Sequence, residues 1–464
     1  MHSGLPGLRR RWAVALWMST LLLTGAVHAD DASDLVAVYK LALVHDTQLL
    51  ARFAQIQAAK EGASQSQAAL LPNIGIAGSI SRSSVETMQG SGAVGTTAEL
   101  TTKGWQAKLT QPLFNLESLF NIKQAWKAND EADLTLAAEQ QSLIMRVSEA
   151  YFSVLRAEDT LTTTRAEENA VKLQFTQTEQ RFRVGLVAQA DVHEARAAWD
   201  ASQVARIQAE NLLDQAMEKM STLTNTTQTG LVKLDMAMPV VSIPPEELSN
   251  WVKMAVENSL ELRIAQAKVE VSRAGLNAAR SGYAPVINAV VSYSDSTERN
   301  SELPAKMRTR GHAYGVELSF SLFSGGYTTS KVREAAYLRE ASQHNSEGVE
   351  RKVKADARSL FRTVNADAKR VGAGCFGIQS ADSALQATQS GYDVGTRHLV
   401  DVLSAQRNLY SARRDYLNAR YDFILNGLRL KRVAGTLGPQ DLQELNVWIR
   451  TRERGDLLPV CSKL

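Results

Sequence analysis

Little in this chain announces chemistry. It has two cysteines in 464 residues, Cys375 and Cys461. An exported chain could join them, but the C-terminal tail would have to reach the middle of a helix-like segment, so the expectation is that they stay apart. His193-Glu194 lacks the second histidine that a zinc-protease helix requires, and His45, His312, His344 and His398 show no ligand spacing. No serine sits in a nucleophile elbow. Gly372, Gly374 and Gly377 spell GxGxxG, yet they follow the helix-like stretch from Phe361 to Arg370 and not a strand, so the geometry that cradles a phosphate is missing. A weakened or closely packed stretch of helix is the better reading. Nothing in the chain supports catalysis, a metal or a cofactor.

Aromatics are only 6% of the chain, few for an ordinary globular enzyme of this length. No apolar run reaches 18 residues, which excludes a helical membrane span and leaves a barrel as the one route into a bilayer. An excess of one charge is missing too. The 52 Lys+Arg exceed the 49 Asp+Glu by three, but Arg9, Arg10 and Arg11 precede an apolar run from Trp12 to Thr24 and the small-residue site Val27-His28-Ala29. That is the order of a secretory signal peptide. Without residues 1–29 the bases and acids balance, so charge implies no polyanion partner, nucleic acid included.

Proline is absent where it matters most. Between Pro112 and Pro239 there are 126 residues without it, and between Pro304 and Pro439 there are 134. In the first gap only Gly185 and Gly230 interrupt, so the stretch from about Asn115 to Arg183 can form one helix of about 100 Å. Ile144, Val147, Tyr151, Val154 and Leu161 recur at spacings of three and four, with Glu158 the one polar member, which is a coiled-coil seam. The chain turns at Gly185 and again at Gly395.

What is present is present twice. Leu71-Pro72 before Ile74 recurs as Ala284-Pro285 before Ile287, Val184-Gly185 recurs as Val394-Gly395, and Leu113-Phe114 as Leu322-Phe323, at offsets of 213, 210 and 209. Such agreement argues duplication. Each half also carries two alternating runs: Ile74, Ile76, Gly78 and Ile80, then Trp105, Ala107 and Leu109; in the second half Ile287, Ala289, Val291 and Tyr293, then Val316, Leu318, Phe320 and Leu322. Each run is near the 9–11 residues of a tilted membrane strand and has one apolar face. Polar connections are expected at 83–103 and 294–313. Four strands cannot close a barrel, and open edges cannot face lipid, so several chains must share one.

The segments from Gln180 to Arg196 (QRFRVGLVAQADVHEAR) and from Gly391 to Leu403 (GYDVGTRHLVDVL) resemble the two tip loops of the TolC family. So do Leu417 to Asn426 (LNARYDFILN), Gly435-Thr436-Leu437 with Asp441-Leu442, and the joints Gln111 to Phe114 and Phe320 to Gly326. The resemblance covers essentially the mature chain. It implies a mainly α homotrimer with a shared twelve-strand membrane β-barrel and a coiled-coil helical tunnel, in the outer membrane of a Gram-negative bacterium and reaching into the periplasm. Drugs or secreted proteins would enter it from an inner-membrane pump of ABC, RND or MFS type through a periplasmic adaptor. The chain then divides into signal 1–29, first repeat 30–222, equatorial linker 223–247, second repeat 248–432 and C-terminal equatorial segment 433–464. No cysteine lies near Ala29, so a lipid anchor is not expected.

The same resemblance places a periplasmic gate at the tips. Tyr392 and Arg397 would bond to Asp191, with Gln174 a further partner, and Asp401 would form a ring at the constriction. Two positions depart from the family pattern: Ala190 replaces a threonine before the aspartate, and Ser404 replaces a second acidic residue. Read without the resemblance, Asp191 and Asp401 are helix caps just beyond Gly185 and Gly395. The competing reading of the whole chain is a periplasmic coiled-coil adaptor, which should carry one hairpin and flanking β-rich domains.

Overall fold

A computed structural model describes residues 33–87, 96–227, 230–300 and 306–451. The expected signal segment, Cys461 and the end of the C-terminal segment lie outside the described residues. Helices α1 (Leu35–His45) and α2 (Thr47–Ala68) lead into β1 (Asn73–Thr87) and β2 (Thr96–Asn115), and α3 (Leu116–Arg183) and α4 (Gln189–Thr224) form a long hairpin. After β3 (Lys233–Leu234) the order recurs: α5 (Leu248–Asn258), α6 (Leu260–Arg280), β4 (Val286–Asn300), β5 (Lys306–Ser319), α7 (Tyr327–Asp393) and α8 (Leu399–Val433). Then come α9 (Pro439–Asn446) and β6 (Ile449–Thr451).

The proline-free runs become α3 and α7, of 68 and 67 residues, each about 100 Å long. Asn115 starts α3 where expected, its side chain accepting the Ser118 amide at 3.0 Å. Helices of this length need lateral partners along their whole course. α3 finds α2 and α6 beside its first half, with Lys60 bonded to Asp133, and α4 beside its second, with Arg165 bonded to Glu210 and Arg206 to Glu168. α7 likewise packs on α6 and then on α8. The predicted seam is buried: Ile144, Val147, Tyr151 and Val154 are at most 2% exposed. The GxGxxG stretch lies inside α7, unbroken, with Gly374 against the Tyr416 side chain.

The four long strands form one antiparallel sheet in the order β1-β2-β4-β5, which leaves β1 and β5 as edges. Register puts Ile74, Leu109, Val291 and Tyr314 in one row and Ile76, Ala107, Tyr293 and His312 in the next. The opposite face carries Gly75, Lys108, Ser292 and Ala313, then Ala77, Gln106, Ser294 and Gly311. Ile74, Ile76, Ile80, Tyr314, Val316 and Leu318 are all at least 65% exposed in the protomer. The strands run further than alternation suggested, through much of the polar stretches expected to be connections. There both faces are polar, so alternation disappears while the hydrogen-bonded ladder continues. Only 88–95 and 301–305 lie outside the described residues. β2 also accommodates Pro112, at the point where its register with β4 shifts.

The largest apolar cluster lies at the middle of the long helices. Leu35 and Val38 of α1, Leu143 to Leu155 of α3, Met220 of α4, Tyr421 to Leu428 of α8, Leu442 of α9 and Ile449 meet there. β3 pairs with β6 beside them, so the two non-repeated pieces converge at this level. Phe152 lies between Tyr151 and Tyr421, both ring centroids at 5.7 Å. Tyr151 donates to the Val232 carbonyl at 2.6 Å and Tyr421 to Asp159 at 2.6 Å. Burial pushes the Tyr151 phenol well above its ordinary value.

One expectation is corrected here: Cys375 is disulfide-bonded. The reason lies in this convergence. Cys375 is fully buried in α7 against Tyr416 and Leu417, and Met236 and Val240 of the linker pack on the same cluster. The Asp235 amide bonds to the Trp448 carbonyl at 2.7 Å, so Trp448 stands beside the linker that packs on the Cys375 cluster.

Candidate gate at the helix tips

The two hairpin tips have one backbone design. α3 ends at Arg183 and α7 at Asp393, and Gly185 and Gly395 follow with φ of 79° and 80°, the left-handed conformation that a side chain disfavours. Amides return to the last turn, Leu186 to the Arg181 carbonyl at 2.9 Å and Thr396 to the Gly391 carbonyl at 2.8 Å. The next helix then starts with an aspartate at its third position. Asp191 accepts the Ala188 amide and Asp401 the His398 amide, each through Oδ2 at 3.2 Å. Both carboxylates therefore act as caps, and the Oδ1 of each has no hydrogen-bond partner within the protomer among the described residues.

The tips differ in what surrounds this frame. Tyr392 is 9% exposed and sits among Val171, Ala195, Leu399, Val402 and Leu403, beside the stacked pair Phe175 and Trp199. Its hydroxyl is buried without a hydrogen-bond partner among the described residues. Gln174 is buried three residues along α3 from Val171, hence on the same side of that helix. Arg397 is exposed and lies back along its own tip, so close to Gly391 that a β-carbon there would stand 2.7 Å from Arg397 Cγ. Within one protomer neither Tyr392 nor Arg397 bonds to Asp191. Asp401 is half-buried, while Ser404 one turn on is exposed.

The contact that does join the tips was not anticipated. Arg181, at the end of α3, donates to Asp393 Oδ1 at 2.6 Å, and its guanidinium carbon lies 5.0 Å from the centre of the Tyr392 ring. The bond to Asp393 raises the Arg181 pKa above its ordinary value, so this cation holds its charge. Val184, Leu186 and Val394 project at the extreme tips, each at least 70% exposed. Among the described residues no cluster of His, Cys, Asp or Glu can hold a metal ion.

The family model described as Outer membrane efflux protein matches residues 38–226 and again 251–436. The chain is 35% identical to Outer membrane protein TolC of Vibrio cholerae serotype O1 over 93% of this chain and 97% of that one. It is 26% identical to Proteases secretion protein PrtF of Dickeya chrysanthemi, covering 95% and 96% respectively. Among solved structures, the CmeC outer membrane channel of Campylobacter jejuni superposes with a TM-score of 0.73 at 15% identity, covering 90% of each chain.

Proposed function

The chain belongs to the outer membrane efflux protein family, and we propose that three copies of it close one twelve-strand barrel above a periplasmic tunnel of helices. The protein is an outer-membrane exit duct for drugs or secreted proteins. The observation that carries a barrel shared between copies is the sheet: four strands, two open edges, an apolar face and a polar face; the number three is taken from the likeness to the family. No lipid tolerates unpaired edges, and copies of the same sheet satisfy them edge to edge. The adaptor reading is not favoured, since the protomer has two helical hairpins and a membrane-length sheet. Residues 1–29 would direct export, and 223–247 with 433–464 would form a collar at the equator. An inner-membrane pump and a periplasmic adaptor would deliver cargo. Expression should yield a detergent-extracted outer-membrane trimer that conducts in planar bilayers. A soluble or inner-membrane species would overturn the reading.

The gate belongs to the same proposal. A buried phenol without an acceptor costs about 1–3 kcal/mol, so a partner from a neighbouring protomer is the economical explanation of Tyr392. Asp191 keeps one carboxylate oxygen open for it, and Arg397, exposed on its tip, can swing to the same acid. With Ala190 in place of a threonine, any bond to that residue must use its backbone carbonyl. Replacing Tyr392 by Phe and Arg397 by Glu together should raise single-channel conductance, and an unchanged conductance would refute this assignment. Three Asp401 carboxylates around the axis would form one acidic ring, Ser404 supplying no second. Asp401→Asn should then relieve block by divalent cations, and retained block would count against the ring.

A further inference from the structure

The apolar face of the sheet changes character toward its hairpin ends. Tyr293, in the row of Ile76, and Trp105, in the row beyond it, form a tilted aromatic pair with centroids 5.3 Å apart. Beyond Tyr293 strand register places six cations on that same face: Arg310 in the row of Trp105, Lys103 and Arg308 in the next, then Arg82, Arg299 and Lys306. At these levels the opposite face carries Ser81, Thr102, Ser296 and Thr309, and no cation among the described residues.

Three acids stand among them on the same face and do not balance the charge. Asp295 is shared by Arg308, at 2.6 Å, and Arg310, at 3.1 Å. Glu99 is paired with Arg82, and Glu86 stands further toward the hairpin end. Lys103, Arg299 and Lys306 have no carboxylate partner among the described residues. Gly78, the position without a side chain in the row of Trp105, opens a depression of about 530 Å³ lined by Ile80, Lys103, Trp105, Asp295, Thr297 and Arg308. One flank of it is apolar, and the other carries Lys103 beside the Asp295–Arg308 pair.

We propose that this belt is a docking surface for a phosphorylated lipid headgroup of the extracellular leaflet, with acyl chains on the isoleucine face and phosphate at Lys103, Arg299 and Lys306. The depth argues for it: an aromatic row on the lipid side of a barrel marks the edge of the hydrocarbon, so the cations just outside stand among headgroups. Charge complementarity argues for phosphate, since excess guanidinium and ammonium at that depth attract anionic headgroups. The inference rests on the barrel reading. The helices leave the other end of the sheet toward the periplasm, which puts the belt at the outer leaflet.

The test compares wild type with the variant Lys103→Gln, Arg299→Gln, Lys306→Gln, both as the full chain purified in an uncharged detergent. Three probes are offered: a diphosphorylated glycolipid in mixed micelles, its phosphate-free counterpart, and inorganic phosphate as competitor. Native mass spectrometry reads bound lipid. Wild type should retain the phosphorylated lipid, and the variant more than about tenfold less. Equal retention of the phosphate-free lipid, or equal retention by the variant, overturns the proposal; displacement by equimolar inorganic phosphate assigns the surface to the free anion and overturns it too. Conductance of both proteins in an uncharged bilayer is the control. If both conduct, a failure belongs to the lipid proposal alone, and if neither does, the barrel reading fails.

Discussion

The equator and the tips of this molecule are built from the same two helical hairpins and are held in opposite ways. At the equator α1, α3, α4, α8 and α9 converge on one buried cluster, in which Tyr151 and Tyr421 flank Phe152 and each of these two phenols has an acceptor. At the tips a small apolar cluster remains, backed by two caps, one half-exposed ion pair and a phenol with nothing to donate to. With the proposed gate at the tips, the duct must stay shut without being locked. Concentrating the favourable free energy midway along the helices leaves the ends near balance, so a partner can move them without unfolding the rod. Regions that move in function are drawn from the low-stability end of a structure.

The sharpest way to break that contrast is to weaken the equator. Phe152→Ala should cost about 3–5 kcal/mol, since the ring is fully buried between two others. Thermal unfolding of the detergent-solubilised protein measures it, and a loss no larger than that of a tip variant would erase the distinction. Next in size is Gly395→Ala, which forces a side chain into left-handed backbone at a cost of about 1–2 kcal/mol. Its effect should stay local: amide exchange should speed up in the turn around Gly395 and remain unchanged around Tyr421. Arg181→Ala comes third. The pair it breaks is solvent-screened, so stability should fall by less than about 1 kcal/mol, while conductance rises because the two tips lose the ion pair that joins them.

How much of this was legible beforehand depends on the range of the signal. The 68-residue helix was readable from the lack of proline and from a seam of period three and four, both local properties of the chain. The strands were readable as far as the apolar band extended; beyond it both faces turn polar and the pattern ends before the ladder does. Pro112 within β2 could not be foreseen, because a register shift is visible only in pairing. The gate residues came from the resemblance, whereas Asp191 and Asp401 as caps follow from position alone. Arg181 and Asp393 meet although far apart in sequence, and no periodicity links them. The pairing of Cys375 is hidden in the sequence for the same reason: the C-terminal segment is guided by β3 and β6, two strands of two and three residues that carry no pattern.

The smallest effect locates where the firm region ends. Between the equator and the tips, Glu210 accepts from Arg165 at 3.0 Å and from Arg206 at 2.8 Å, and Arg206 also bonds to Glu168. These bonds hold the Glu210 carboxyl below the usual glutamate value. Because the folded-state pKa is lowered, whatever stability the carboxylate adds is complete above the unfolded-state pKa of about 4.3 and drains away as pH falls through and below it. Wild type should therefore melt slightly higher than Glu210→Gln at neutral pH, and the two curves should merge as the pH is lowered past that range. A gap that persists in acid would mean that Glu210 acts through packing. The α3–α4 ties would then be part of the same apolar scaffold as the equator, and the tips would be the only part of the hairpin that charge controls.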